Sequence, residues 1–510
     1  MERLSNKIST KLVAEFLPQQ QFVKREFYGK AFLLALLSFD KSSDADTRTS
    51  LINAISAEEK TSSYHFEFNR YALLHHHNYE AVNQILGTPA YTGTRVANWT
   101  LLRAACRLSG SRVQRFIALL ELLWVRVYFS VSHTIEDQRS VYTSQYNFFS
   151  LALIHEIQQS GPRLWSSQWL RQAVTQCIDQ IGPGGVTNLL GRGSLQSFGY
   201  SSLIYLLSFY GASARYGASA RYGASAHASA FVYELIDDLV AVLEREQAKH
   251  QALPLVLYKQ TPEARDYTGA PDLTNEQFLG WYSYNNAPDY EAFTALLLYR
   301  AAQNLQRPES SAAWVRENHA DRKFVKVANN IFAYRSDRYM LNCGLSTDWK
   351  SLVFYSPILA TEDDLILPPT TGEQTSVSLN NDYDAFFPIV VPETQTPRQI
   401  QTTRLRDNAL DIGLHYDSSF SVTRRYICKP EQVVILELIK NRGESTITSE
   451  CMRLQCSQRH IDKIDITSRG SETLTERQKH YSTVGADCAL SCSIQIPPKS
   501  SMILRAVVSL

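Results

Sequence analysis

Residues 188–205 read Asn-Leu-Leu-Gly-Arg-Gly-Ser-Leu-Gln-Ser-Phe-Gly-Tyr-Ser-Ser-Leu-Ile-Tyr, a polar loop that leads into an apolar run. The three glycines permit backbone angles that other residues avoid. The apolar spacing that follows predicts a helix over 202–210, with Ser201 or Ser202 as its N-cap. The loop therefore delivers polar side chains to the start of a helix, which is the unit from which we interpret the rest of the chain.

The same alternation of short loop and apolar helix continues from Ser9 to about Gln306. Apolar residues recur there every three or four positions, as on one face of a helix. Such segments lie at 30–39, 64–77, 95–108, 112–130, 142–159, 167–181, 202–210, 231–248 and 290–306. Helices of similar length joined by tight turns predict antiparallel hairpins. Closed into a ring, they form an α/α toroid with a central cleft lined by helix ends and loops.

After Pro308 the pattern becomes that of short strands. Segments rich in β-branched and aromatic residues lie at 324–334, 338–342, 352–355, 376–379, 409–416, 420–428, 432–439, 446–454, 489–496 and 502–508. In the clearest of them, alternate residues from Phe420 to Cys428 should face a core. An antiparallel β-sandwich is the expected closure.

The predicted fold is therefore α+β and multidomain, as the length of 510 residues also requires. An α/α toroid is expected over 1–315 and the β-sandwich over 316–510, with the boundary in the polar stretch 307–322. A Tyr-Gly-Ala-Ser-Ala-Arg hexapeptide repeats from Tyr210 onward. Because its period fits no helical face, we expect a surface excursion between two helices over 210–229.

The composition restricts the class of ligand. With 51 basic and 50 acidic side chains, nothing indicates nucleic-acid binding. Tyrosine and tryptophan number 27 and 7, and their flat, polar-tipped rings suit sugars as well as protein cores. The eight cysteines lack metal-ligand spacing, which predicts reduced thiols and no metal. Phosphate-loop, dinucleotide-binding and HExxH motifs are missing as well, so no cofactor is expected.

No signal peptide or membrane span is recognisable, so a cytoplasmic location without membrane insertion is the expectation. The most apolar stretch, 116–131, contains Glu121 and Arg126. A buried amphipathic helix explains it better than a span. The sequence does not indicate an oligomeric state.

Five stretches carry candidate site residues. The loop at 188–205 offers Arg192, Gln196 and Tyr200, where helix-start N–H groups and a guanidinium would favour a carboxylate. The alternative is a loop that only caps its helix.

The stretch 65–71 reads His-Phe-Glu-Phe-Asn-Arg-Tyr and offers His65, Glu67 and Asn69 on a helix. The alternative is a surface helix with a Glu67–Arg70 ion pair. The histidines that follow, 75–77, point about 100° apart on a helix and cannot all bind one ion, so we expect solvated helix-end residues.

The other three stretches are of the same type. They contribute Asn98 and Trp99 at the start of one helix, Gln145, Tyr146 and Asn147 at the start of another, and an aromatic and amide-rich loop with Trp281, Tyr282, Tyr284 and Asn285. A buried Asn98 that only bonds a neighbouring loop is the alternative for the first. In a toroid all five stretches would turn into the central cleft.

Two of these stretches resemble motifs of a known group. Arg95-Val-Ala-Asn-Trp resembles the Arg-x-x-Asn-Trp turn of the heparinase II/III-like and chondroitin/hyaluronan lyases, which are α/α-toroid polysaccharide lyases with a β-sandwich. Residues 144–153 fall where that family tends to show Asn-Asn-His before an apolar helix, but no histidine occurs at 144–147.

The resemblance implies a β-elimination on an acidic oligo- or polysaccharide. An amide or cationic clamp would neutralise a uronate carboxylate, and a tyrosine would remove the C5 proton and protonate the leaving oxygen. The implied catalytic residues are Asn98, Tyr146, Asn147, Arg192 and Tyr200, with Gln145 also in the clamp. A glycoside hydrolase using Glu67 with Asp289 or Glu291 is one alternative. A non-catalytic glycan-binding or assembly protein on the same scaffold is another.

Overall fold

The computed structural model of the chain describes residues 1–16, 29–39, 45–56, 66–76, 96–139, 141–191, 193–215, 226–250, 253–258, 287–306, 323–328, 331–344, 357–369, 399–415, 419–468, 473–478 and 488–510. The N-terminal part is helical, and the C-terminal part is built of antiparallel sheets. The predicted fold class, α+β with helices first and strands second, is confirmed.

The described residues form eleven α-helices: α1 (Glu2–Phe16), α2 (Gly29–Leu37), α3 (Ala45–Ser56), α4 (Phe66–Leu74), α5 (Ala97–Leu108), α6 (Arg112–Tyr128), α7 (Ser144–Ser160), α8 (Ser167–Ile178), α9 (Ser197–Arg215), α10 (Ala226–His250) and α11 (Ala287–Gln306). All nine predicted helices are present with shifted ends. The sequence did not single out α1 and α3, because their serines, threonines and asparagines dilute the apolar pattern.

Helix α9 begins at Ser197, five residues earlier than predicted. Ser201 and Ser202 are therefore helical residues and not N-caps. The prediction treated Gly199 as a loop residue, but it lies within the helix, where a Cβ would come within 2.2 Å of the Asn188 amide. Helices α9 and α10 also extend into the hexapeptide repeat, over 210–215 and 226–229, and residues 216–225 lie outside the described part of the chain.

Six of the helices close a ring. In order around it, each packing on the next, they are α2, α4, α5, α7, α9 and α11, and α11 packs back onto α2. The other five lie outside the ring: α1 on α11, α3 on α2, α6 on α5, α8 on α7 and α10 on α9. This double layer is the arrangement of an α/α toroid.

An aromatic layer fills the centre of the ring, which the sequence had led us to expect as an open cleft. Each inner helix contributes one ring from its first two turns, with neighbouring centroids 4.1 to 6.4 Å apart: Phe32, Phe68, Trp99, Phe149, Phe198 and Phe293. Because rings from the first turns meet, the inner helices all begin at the same end. Inward-facing aromatic side chains are large enough to close a six-helix ring.

Helix α6 also differs from its prediction. It buries Ala118, Leu122 and Val125, but its opposite face exposes apolar side chains, among them Phe116 at 61% and Val127 at 82%. An outer helix covers only the inner helix beneath it, here α5, so one face remains in solvent. The predicted buried amphipathic helix is thus only half correct, because α6 carries apolar residues on both its buried and its exposed face.

The described strands are β1 (Ser130–Val131), β2 (Thr134–Ile135), β3 (Phe324–Ala328), β4 (Ile331–Arg335), β5 (Tyr339–Gly344), β6 (Ile358–Thr361), β7 (Leu365–Leu367), β8 (Gln399–Leu405), β9 (Ala409–His415), β10 (Phe420–Lys429), β11 (Gln432–Asn441), β12 (Ile447–Cys456), β13 (Ile464–Ser468), β14 (Thr473–Gln478), β15 (Cys488–Ile496) and β16 (Ser500–Ser509). β1 pairs with β2. The other sheets have the orders β3-β4-β5-β6-β7, β13-β16-β11-β10-β9-β8 and β12-β15-β14. The predicted alternation along β10 is confirmed.

The five-stranded sheet joins the two parts of the molecule. Ile331 and Ala333 belong to the helical core, whereas Phe332 and Tyr334 belong to a second core shared with the other two large sheets. Both faces of this sheet are therefore buried, as in a sandwich with a helical third layer. The predicted strands 352–355 and 376–379, and the predicted boundary at 307–322, lie outside the described residues.

The sequence predicted reduced cysteines and no membrane-spanning helix. All eight cysteines are buried and none forms a disulfide. Over the described ranges, every helix is too short or too polar to cross a bilayer.

Candidate functional site

The inner helices begin together at one end of the ring, which we call the N-terminal mouth. The backbone N–H of Gly29, which opens α2, donates to the Asp289 carboxylate of α11 over 2.8 Å. Phe198 of α9 lies 6.4 Å from Tyr146 of α7 and 5.9 Å from Tyr290 of α11 between ring centroids. Six helix N-termini pointing the same way give this mouth a positive potential that favours an anion.

The glycine-punctuated loop lies over the mouth in a fixed conformation. Asn188, Gly191, Gly193 and Leu195 all have left-handed backbone angles, with φ between 54° and 78°. The Asn188 side-chain amide donates to the carbonyls of Gly193 (2.9 Å) and Gln196 (3.3 Å). The loop is buried and internally bonded, so it can hold a ligand without a large ordering cost.

Gln145, in the first turn of α7, faces this loop. Its side chain is fully buried, and neither its Oε1 nor its Nε2 has a hydrogen-bond partner within the described residues. A Cβ built on Gly193 would lie 2.4 Å from Nε2, which places the amide directly beneath the loop. Gln196 Oε1 and Asn98 Oδ1 are also buried without a partner in that part of the chain. Such groups are rare in protein interiors and need a polar partner, which a ligand or a water molecule can supply.

The side chains of Asn98 and Asn147 already form hydrogen bonds within the protein. Asn98 Nδ2 donates to Asp137 Oδ1 over 3.2 Å, the helix-to-loop bond that was the alternative for this residue. Asn147 Oδ1 accepts from the Ile135 N–H over 2.8 Å, and its Nδ2 lies 3.5 Å from the Tyr142 hydroxyl. These bonds fix the segment between α6 and α7 against the mouth.

The two candidate tyrosines differ in their surroundings. Tyr200 is fully buried, and its hydroxyl accepts from the Thr187 N–H over 3.0 Å. Burial raises the pKa of Tyr200 well above its usual range, which disfavours the phenolate. Tyr146 lies in the first turn of α7, where the Thr143 hydroxyl caps its N–H, and retains 7% exposure.

Glu67 and Asn69 lie on a buried helix, and not on the surface helix that was the alternative. Each is 2% exposed. Glu67 Oε1 lies 3.4 Å from Nη1 of Arg103 on α5. Trp99, partly buried, contacts Phe68 edge to face with the ring centroids 6.4 Å apart.

The carboxylates of the hydrolase alternative have other partners. Asp289 accepts from the Gly29 N–H, and Glu291 accepts from Lys11 Nζ over 3.0 Å. Paired, buried carboxylates of this kind are held as structural anions. Six candidates, namely His65, Arg192, Trp281, Tyr282, Tyr284 and Asn285, lie outside the described residues.

Sequence reasoning missed a polar cluster at the opposite end of the ring. Glu156 of α7 accepts from the hydroxyls of Tyr71 (2.8 Å) and Tyr205 (3.0 Å), and its other oxygen lies 3.3 Å from Nε2 of His75. Arg300 of α11 adds a positive charge beside it. The prediction that His75 is a solvated helix-end residue is wrong, because α4 ends inside the ring and the side chain is buried.

A pocket of about 230 Å³ between α10 and the β domain was also missed. Its lining combines both charge signs: Arg245, Glu246, Lys249, Tyr258, Asp363, Asp364, Leu365 and Arg459. The Tyr258 hydroxyl accepts from Arg245 over 3.1 Å and also contacts Tyr200, so the pocket adjoins the mouth. Its residues come from three separate segments, 245–258, 363–365 and 459, which no local motif connects.

Solved structures with a similar arrangement include several polysaccharide lyases. A Streptomyces coelicolor A3 chondroitin AC lyase in complex with chondroitin sulphate is 11% identical, with 99% of this chain and 79% of that chain covered and a TM-score of 0.46. A heparan sulfate lyase HepC mutant from Pedobacter heparinus is 11% identical, with 92% and 77% covered and a TM-score of 0.33. No family model and no curated protein matches this chain. These identities and TM-scores are too low to assign a functional residue or an activity to this chain.

Proposed function

We propose that the protein is a polysaccharide lyase that cleaves an acidic, uronate-containing glycan by β-elimination at the N-terminal mouth. The observation that supports this most is Gln145, a buried amide without a partner among the described residues, at the positive end of six helices. An amide N–H and a convergent set of helix N-termini suit a carboxylate that gains charge during the reaction.

The chemistry requires a clamp and a base. Hydrogen bonds to the uronate carboxylate acidify the C5–H bond. A tyrosine phenolate takes that proton, the electron pair forms the C4=C5 double bond, and the C4–O bond breaks. The same tyrosine, now a phenol, returns the proton to the leaving oxygen, so no other reactant is consumed.

We assign the clamp to Gln145 and Arg192, with Asn98 Oδ1 and Gln196 available to sugar hydroxyls. Tyr146 is the better base, because it lies in the first turn of the same helix as Gln145 and is 7% exposed, whereas Tyr200 is fully buried. Tyr200 holds the Thr187 backbone and so positions the loop. The aromatic residues Trp281, Tyr282 and Tyr284, with Asn285, would form a sugar-stacking lip.

Gln145→Leu should lower kcat on an acidic polysaccharide by roughly 10² to 10³, the usual effect of removing one donor to a developing negative charge. Turnover is measured as ultraviolet absorbance of the unsaturated uronate over a panel of uronate-containing polysaccharides. Tyr146→Phe is the matched variant: it should retain binding and lose roughly 10² to 10⁴ in turnover.

The panel also distinguishes the alternatives. New reducing ends without ultraviolet absorbance would identify a hydrolase. Binding to acidic polysaccharides with no turnover of any of them would identify a glycan-binding protein. Either result would contradict the proposed lyase.

Gly193→Ala should weaken an acidic ligand by at least about tenfold, the value of one hydrogen bond to a charged group. The new methyl group would displace the Gln145 amide, whose Nε2 is 2.4 Å from the Cβ position. Gly191→Ala is the control, because φ is +74° there too, but its Cβ meets the Tyr142 carbonyl at 2.8 Å and not the Gln145 side chain. Both variants should lower the melting temperature, whereas equal ligand affinities in the two would exclude a role for Gln145.

A further inference from the structure

The outer helix α6 carries an exposed apolar stripe that no described residue covers. It consists of seven side chains on one face: Val113, Phe116, Ile117, Leu120, Leu123, Trp124 and Val127. The N-terminus of the helix is stabilised by a capping box. The Ser111 hydroxyl accepts from the Gln114 backbone N–H, and the Gln114 side chain accepts from the Ser111 backbone N–H. A contiguous apolar face of this size on a stable helix marks an interaction surface.

The spacing of the stripe is that of a helix pair. Residues 113, 120 and 127 are seven apart, as are 116 and 123, and 117 and 124. The repeat holds over two heptads, so these side chains stay on one face along the length of α6, as suits a second helix lying along it. The partner is therefore expected to be helical.

The stripe is also complementary to a second, antiparallel copy of itself. About Leu120 as centre, an antiparallel copy sets Val113 opposite Val127, Phe116 opposite Trp124, and Ile117 opposite Leu123. Each position then meets a side chain of the same class, aliphatic on aliphatic and aromatic on aromatic. A two-fold symmetric interface requires this self-complementarity.

We propose that the protein forms a homodimer in which the α6 helices of two copies pack antiparallel, with the two-fold axis at Leu120. The seven side chains are 37% to 82% exposed, and they would form the apolar centre of an interface that buries roughly 800 Å² per partner. The aromatic pair supplies the large buried anchors on which such interfaces depend.

The charges beside the stripe determine how the dimer responds to salt. Arg112, Arg115 and Arg126 lie along one flank of α6, and in an antiparallel pair this flank faces its own copy. Like charges at the rim repel, and salt screens them over about 8 Å at physiological ionic strength. The dimer should therefore tighten as salt is added, whereas attachment to an anionic membrane surface through the same arginines would weaken.

Sedimentation equilibrium of the full chain tests the proposal. The wild-type protein should show twice the 57.8 kDa of one chain at micromolar concentration, with a dissociation constant that falls between 50 and about 300 mM salt. Leu120→Glu places two carboxylates together at the symmetry axis and should raise the dissociation constant by at least about a hundredfold. Leu405→Glu and Ile503→Glu, which are exposed apolar positions on the β domain, are the controls and should remain dimeric.

Cysteine cross-linking tests the orientation. Leu120→Cys should form an intermolecular disulfide. Val113→Cys should cross-link to Val127→Cys in a mixture of the two variants, and neither should cross-link to itself. A 57.8 kDa species at every concentration and salt would overturn the proposal, as would monomers that sediment with vesicles of phosphatidylcholine and phosphatidylserine. Circular dichroism of each variant shows whether a loss of dimer reflects a loss of fold.

Discussion

Glu437→Leu should lower the free energy of unfolding by about 3 to 5 kcal/mol, the largest effect we expect from a single substitution. Glu437 and Arg424 face each other across β10 and β11, and both side chains are fully buried. Arg424 Nε donates to Glu437 Oε1 over 2.7 Å, and Glu437 Oε2 accepts from the Met452 N–H over 2.7 Å. Without the carboxylate, the buried guanidinium loses the anion that accepts from its Nε.

Arg425, the next residue along β10, provides the matched control. Arg425 pairs with Asp411 over 2.6 Å, but its side chain is 45% exposed. Arg425→Ala should therefore cost at most about 1 kcal/mol, as exposed ion pairs do. Denaturant unfolding measures both variants.

The double variant Arg424→Met/Glu437→Leu separates the net contribution of the ion pair to stability from the cost of removing only one of its two charges. Because two apolar side chains of similar volume can fill the same space, it should be more stable than Glu437→Leu alone. If Glu437→Leu costs no more than Arg425→Ala, the pair is not buried as described.

Acidification from pH 7 to pH 4 should destabilise the helical part of the fold by several kcal/mol, and two histidines, the buried His75 and the partly buried His155, account for most of the change. Burial lowers the pKa of His75 to about 4, although Glu156 opposes the shift. Burial also lowers the pKa of His155 to about 4, and its Nε2 lies 2.8 Å from the Tyr210 hydroxyl. Both imidazoles are therefore neutral in the folded protein across most of the acidic range.

Proton linkage determines whether the free energy of unfolding rises or falls with pH. In the unfolded chain a histidine binds a proton near pH 6.5, whereas in the folded protein it does so only near pH 4. The unfolded state thus binds more protons between these values, and stability falls as the pH falls through that window. Each histidine contributes about 3 kcal/mol of stability at pH 7 that is lost by pH 4.

Glu156 also makes the stability of the fold decrease as the pH falls, but at pH values below those at which the two histidines titrate. Burial alone would raise its pKa, but His75, Arg300 and two tyrosine hydroxyls lower it overall. A carboxylate with a lowered pKa stabilises the fold above its unfolded pKa, and this stability is lost as the carboxylate is protonated at low pH.

The pH dependence is measured as the free energy of unfolding at several pH values for the wild type and for His75→Gln/His155→Gln. The double variant should show a clearly shallower slope between pH 6.5 and pH 4. Leu153→Ala, which truncates a buried apolar residue of α7, should lower stability at all pH values and keep the full slope. An unchanged slope in the histidine variant would contradict this account.

Part of the candidate site could be predicted from the sequence. Polar side chains before apolar helices mark helix starts, and this correctly placed Gln145, Tyr146 and Asn98 at the first turns of inner helices. The sequence could not show which of their atoms have partners. Asn98 bonds a loop 39 positions away, and the state of Gln145 depends on the left-handed path of the loop at Gly193.

By itself, the sequence determined the order of helices and strands and the α+β class, because hydrophobic periodicity is local and survives without tertiary contacts. The tertiary structure alone decided what fills the ring, which face of α6 stays in solvent and where the charges are buried. These properties depend on residues far apart in the chain: Gly29 meets Asp289 across 260 positions and Tyr71 meets Glu156 across 85. Burial and pairing at such separations arise only when the ring closes.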